Sequence, residues 1–153
     1  MKKVVFIFLT IFCFSLSAQY YTLTYVMVAP EDVADFEEKE IKYWSQVALN
    51  NVKKGKQMGW SLLKKFGTAG NNDVNYAFVN SYSSIEDLIN PEIWGESVEE
   101  LGYKWEEIST KYKVWELHTY RVQDMIPGEA KVYILNYGKP KNLNGFISEN
   151  KRL

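Results

Sequence analysis

Between residues 20 and 122 the apolar side chains change period in a set order, and that order restricts the fold more than any single residue does. Tyr20 to Val28 carries β-branched and aromatic residues in the manner of a strand, stopped by Ala29-Pro30 because proline has no N–H to give a ladder. From Asp32 the spacing becomes helical: Val33, Phe36, Trp44 and Val47 recur on one stripe, widened by Tyr43 and Ala48, until Lys53-Lys54-Gly55 supplies basic residues and a glycine stop. Gln57 to Phe66 alternates again, with Met58, Trp60 and Leu62 on one face. Gly67 to Asp73 suits a hairpin loop, and Val74, Tyr76 and Phe78 then share a face of a third strand. Ser83-Ser84-Ile85-Glu86-Asp87 predicts a short helix or turn cut off by Asn90-Pro91. Ser97-Val98-Glu99-Glu100 reads as a capping box opening a second long helix, whose stripe runs Val98, Leu101, Trp105, Ile108, Tyr112. Val114 to Val122 returns to strand chemistry.

Strand, helix, strand, strand, helix, strand is the split β-α-β order. It predicts an α+β fold, a ferredoxin-like βαββαβ antiparallel sheet with helices on one face. An extra C-terminal strand, Lys131 to Tyr137, and the start of a helix, Gly145 to Leu153, are expected beyond it. The tail loosely echoes the opening: Tyr25, Phe36 and Glu40 have counterparts in Tyr133, Phe146 and Glu149. It is read either as an incomplete second repeat or as an edge strand with a frayed helical end.

Ahead of this domain, Lys2 and Lys3 precede an apolar run from Val4 to Phe14, too short to span a bilayer, and Ser15-Leu16-Ser17-Ala18 offers small residues for cleavage. The expected organisation is a signal peptide over 1–18, a ferredoxin-like domain over 19–124, and a linker with the incomplete repeat or edge strand over 125–153. Export to the periplasm or the exterior follows as an expectation, with no transmembrane anchor. The single cysteine, Cys13, lies within the leader, so no disulfide is expected. Without Lys2 and Lys3 the chain carries 16 basic and 19 acidic residues, a balance that argues against nucleic acid as a partner.

The element order from Tyr20 to Gln123, with Gly55-Lys56-Gln57-Met58-Gly59-Trp60 at the helix-to-strand junction, resembles the ferredoxin-like domains of the dimeric α+β barrel superfamily, which includes antibiotic-biosynthesis-type monooxygenases. The resemblance implies that bare sheet faces meet across a homodimer, or within the chain against a missing second repeat, and enclose a cavity. Trp115 to Arg121 also looks like the opening strand of NIPSNAP-type domains of the same superfamily. Those domains carry arginine where this chain has His118 and continue into a helix where this chain has Pro127.

His118 is the single histidine, so any imidazole acid, base or ligand must be this residue. Strand alternation puts Glu116, His118 and Tyr120 on one side and Trp115, Leu117 and Thr119 on the other. With the apolar set against the helices, the polar set falls on the bare face, as a ligand-binding cluster or as a solvated or dimer-forming surface. Glu40 is the second oddity, a carboxylate between Phe36 and Trp44 in the apolar stripe of the first helix. Buried without a cation it would hold its proton to higher pH and suit proton transfer; hydrogen-bonded by a neighbour it is structural. His118 and Glu40 are therefore the catalytic candidates.

One histidine and no cysteine beyond the leader exclude a structural zinc site, and no nucleophile elbow, Walker loop or dinucleotide fingerprint occurs. No metal and no cofactor is expected. Three functions remain open: binding of a small apolar or aromatic ligand in a cavity formed by sheet-face pairing, a cofactor-independent monooxygenase or isomerase activity, and a structural role at the cell envelope.

Overall fold

The computed structural model describes residues 20–67 and 73–123, together with 140–142, 144, 145 and 148. The expected signal peptide, the strand over 131–137 and most of the terminal helix lie outside the described residues. Four strands, β1 (Tyr20–Met27), β2 (Gly59–Lys64), β3 (Tyr76–Tyr82) and β4 (Lys113–Arg121), form one sheet in the order β2-β3-β1-β4. The pairings are all antiparallel. This is the topology expected from the sequence, an α+β ferredoxin-like sheet.

The helix after β1 begins with a 3-10 turn, Pro30–Asp32, and runs as α1 (Val33–Lys39), a five-residue π segment (Glu40–Trp44) and α2 (Ser45–Lys53). The backbone N–H of Ser45 donates to the Glu40 carbonyl, the i to i+5 bond that defines the wider turn. Gly55, at φ 71°, then ends α2 in a left-handed conformation that other residues adopt only under strain.

Phe36 on α1 has no exposed surface and packs against Val26, Val28, Tyr76 and Phe78, with Val33, Trp60 and Leu62 at the margin. Burying such a ring contributes about 1.5–3 kcal/mol. A second cluster, Val47, Val98 and Ile108, joins α2 to the following helices and is flanked by Tyr43, Trp44, Trp94 and Tyr103.

The short helix expected after Ser83 is present as α3 (Ile85–Ile89), but the long helix expected from Ser97 is replaced by α4 (Glu92–Glu100) and α5 (Trp105–Ile108). Ser84 caps α3, accepting from the Asp87 N–H at 3.1 Å. Asn90 accepts from the Glu92 N–H, so Asn90-Pro91 starts a helix as well as ending one. Ser97 therefore sits inside α4, and its hydroxyl donates to Asn51 Oδ1 at 2.6 Å instead of capping. Gly102, at φ 70°, terminates α4, with its N–H on the Glu99 carbonyl and the Tyr103 N–H on Val98.

Leu117 and Thr119 pair with Thr24 and Thr22 and so point to the helix side, yet Leu117 is 62 % exposed. The expectation that β4 buries its apolar set under the helices is corrected: among the described residues β4 is the outermost strand of the sheet, and Trp115 and Leu117 are half or more exposed. The register shifts between Tyr25 and Val26, whose partners are Glu116 and Val114, so Trp115 is the extra residue of a bulge.

Candidate functional site

A cavity of about 290 Å³, partly open to solvent, lies between helices and sheet. Its floor comes from three strands. Thr24 on β1 is opposite Phe78 on β3, and Asn80 on β3 is opposite Trp60 on β2, which places these residues side by side on the helix-facing side. Glu40 and Trp44 enter from the two ends of the π segment, whose wider turn keeps residues four apart on one face. Trp94 comes from α4, and Thr110 and Tyr112 from the extended segment between α5 and β4.

The aromatic rings line the cavity in two groups, Trp44 with Trp94 and Trp60 with Phe78 and Tyr112. Trp44 and Trp94 have centroids 6.1 Å apart, Trp60 and Phe78 6.4 Å, and Phe78 and Tyr112 5.6 Å. The indole N–H of Trp44 donates to the Ile108 carbonyl at 2.9 Å, so what this side chain offers the cavity is its apolar ring. Asn80 is held from both sides: Gln57 Nε2 donates to its Oδ1 at 2.9 Å, and its Nδ2 donates to Thr22 Oγ1 at 3.1 Å. An amide nitrogen has two hydrogens, and among the described residues Thr22 accepts one of them.

Glu40 is the chemical centre of this site. It is 3 % exposed, and Thr110 Oγ1 donates to its Oε1 at 2.9 Å. Among the described residues no cation pairs with it. Burial pushes its pKa up to about 7, and the Thr110 hydrogen bond only partly offsets that. Tyr112 is raised as well, first by burial and then by the neighbouring Glu40 charge. The carboxyl can thus hold or release a proton near neutrality.

The other candidates occupy the opposite face. His118 pairs with Leu23, Glu116 with Tyr25 and Tyr120 with Tyr21, all turned away from the side where Thr24 and Phe78 line the cavity. They do form one cluster. His118 Nε2 lies 2.9 Å from Glu116 Oε2, its ring stacks near Tyr120 at 6.0 Å, and Tyr25 meets it edge-on at 6.0 Å. His118 and Glu40, the two catalytic candidates, are separated by the thickness of the sheet and do not share a site.

Reasoning from sequence missed Thr110, Asn80 and Thr24. Asn80 had a signal: it interrupts the core-facing alternation of Tyr76, Phe78 and Tyr82 with an amide. Thr110 had none, since a threonine 70 residues from Glu40 in an irregular segment carries no mark of its partner. Among the described residues no cluster of three or more histidine, cysteine, aspartate or glutamate side chains could hold a metal ion. Nor is any described helix long and apolar enough to cross a membrane.

No family model and no curated relative matches the chain. Solved structures similar to it include a dimeric ferredoxin-like protein from an uncultured marine organism, at 16% identity and TM-score 0.44, over 73% of this chain and 94% of that one. Another is a cofactor-independent oxygenase from Streptomyces nogalater, at 13% identity and TM-score 0.37, over 72% and 97%. A NIPSNAP-like domain protein from Burkholderia xenovorans is similar at 13% identity and TM-score 0.31, over 82% and 98%. The ferredoxin-like fold is carried by the chain's own sheet, four antiparallel strands in the order β2-β3-β1-β4.

Proposed function

We propose that this is an exported protein that binds a small apolar or aromatic ligand in the cavity between helices and sheet, with Glu40 exchanging a proton with the bound molecule. The observation that carries this reading is the pairing of an aromatic lining with one buried carboxyl whose pKa is pushed up to about 7. Apolar pockets with a few convergent polar groups are the usual form of small-molecule sites, and here the polar groups are Glu40, Thr110 and Asn80. The cavity differs from the one expected from pairing of two sheets: it is built within one chain, on the helix side.

The same carboxyl supports a second reading, cofactor-independent oxygenase or isomerase chemistry. In that reading Glu40 takes a proton from a carbon acid or phenol, and Asn80 donates to the oxygen on which charge develops. His118 has no part in it. Pairing of the opposite sheet face between two copies, through the Glu116, His118 and Tyr120 cluster, remains part of the proposal as the route to a homodimer.

The test is titration of the protein with 1-naphthol, followed by saturation-transfer NMR and tryptophan fluorescence. Saturable binding is expected, lost when Thr24→Trp fills the cavity. Glu40→Gln should preserve binding but remove its change with pH around neutrality. Equal binding by the filled variant would overturn the assignment of the cavity.

A further inference from the structure

We infer that the ligand is an organic cation, a protonated ammonium group joined to an apolar or aromatic body. The inference rests on the cavity being the ligand site, as proposed above, and names the class of molecule that it takes. Three indoles share a cavity with one carboxyl: Trp44, Trp60 and Trp94 line it together with Glu40, and among the described residues no lysine, arginine or histidine does. Indole faces carry negative quadrupole potential and attract a cation within about 6 Å of the ring. The Trp44 N–H is already tied to the Ile108 carbonyl, so its ring face is what remains to contact a ligand.

The charges around Glu40 point the same way. Glu40 has Thr110 as a hydrogen-bond donor but no counterion among the described residues, and its Oε2 accepts no hydrogen bond there. Lysines in the segments that border the cavity are engaged elsewhere, Lys111 with Asp32 at 3.5 Å among them. Lys39 pairs with Asp35 at 2.9 Å and donates to the Ser109 carbonyl, Lys64 pairs with Glu37 at 2.8 Å, and Lys42 lies over the Tyr43 ring at 4.9 Å. A neutral apolar ligand would exclude the remaining water from Glu40 and offer its charge nothing in return. An anion would meet both the carboxylate and the ring faces unfavourably. A cation supplies the missing partner and interacts favourably with the rings at once.

The experiment compares two molecules of the same shape, protonated cumylamine and tert-butylbenzene, by quenching of tryptophan fluorescence and by thermal stabilisation of the protein at pH 8. Protonated cumylamine should bind at least tenfold more tightly. Glu40→Gln should weaken it by tenfold or more while leaving tert-butylbenzene unchanged or improved. Tighter or equal binding of tert-butylbenzene to the wild-type protein would overturn the cationic class while leaving the cavity as the ligand site. Absence of binding by both, with 1-naphthol also failing, would remove the site and this inference together. The wild-type comparison needs no variant, so it stands even if Glu40→Gln were to fold poorly.

Discussion

The hydroxyl of Thr110 donates to Oε1 of Glu40 across 2.9 Å, joining the π segment of the first helical run to the extended lead-in of β4. The neighbouring bonds from Lys39 to the Ser109 carbonyl and from Trp44 to the Ile108 carbonyl close the same seam. The candidate carboxyl is therefore held by parts of the chain 70 residues apart.

Glu40 should make stability fall as pH rises. Its folded pKa, about 7, lies above the ordinary glutamate value of 4.5, so the native state binds more protons between those values. Its contribution is fully present below pH 4.5 and is lost as pH rises through 7. The loss amounts to about 3 kcal/mol by linkage. Urea unfolding of wild type and Glu40→Gln at pH 5 and pH 8 checks this: the variant should lose the decline, and an identical decline in both would refute the assignment.

Thr110→Val should cost more at pH 8 than at pH 5. The hydroxyl stabilises the ionised carboxylate, so its removal leaves that charge without a donor once the group has titrated, at a cost of roughly 1–3 kcal/mol. Paired unfolding curves of wild type, Thr110→Val, Glu40→Gln and the double variant measure the coupling. Additive effects at pH 8 would mean that the bond contributes nothing to the ionised state.

Gly102→Ala should lower stability by about 1–2 kcal/mol, because φ at this position is 70° and the left-handed conformation is unfavourable for an L residue, even though a methyl group there would meet only open space. The comparison is Gly95→Ala, a helical position in α4 with equally open space and no positive φ, which should be neutral or stabilising. Thermal melts of the two variants separate backbone strain from side-chain crowding.

Tyr120→Glu tests pairing of the second sheet face. Tyr120 is 40 % exposed beside His118, and in a dimer joined through this face a new carboxylate would be desolvated. Sedimentation should show a dimer for wild type and a shift towards monomer for the variant, with the fluorescence titration of the cavity unchanged. A monomeric wild type would exclude the pairing.

Much of this architecture was legible in the residues themselves. Alternation in Tyr20 to Val28 and in the segment around Trp60 and Leu62 encodes which side of each strand is apolar, and the Phe36, Trp44, Val47 stripe encodes one helix face. These are local properties, and element order then leaves few ways to assemble them. The break at Gly102 was less visible, because Leu101, Trp105 and Tyr112 continue a helical spacing although α4 has already ended. Spacing records where side chains would fall if the helix went on, while the chain follows the glycine.

The oddity of Glu40 could be read from sequence alone, since a carboxylate inside an apolar stripe is costly wherever that stripe packs. Its partner could not. Thr110, Asn80 and Trp94 reach the cavity only because β1 and β3 pair in one register and α4 packs on α2, and none of those contacts is written in any single segment. The side of the sheet that holds the cavity was decided in the same way: sequence periodicity divides residues into two faces, but only the packing of helices on one of them determines where enclosed space remains.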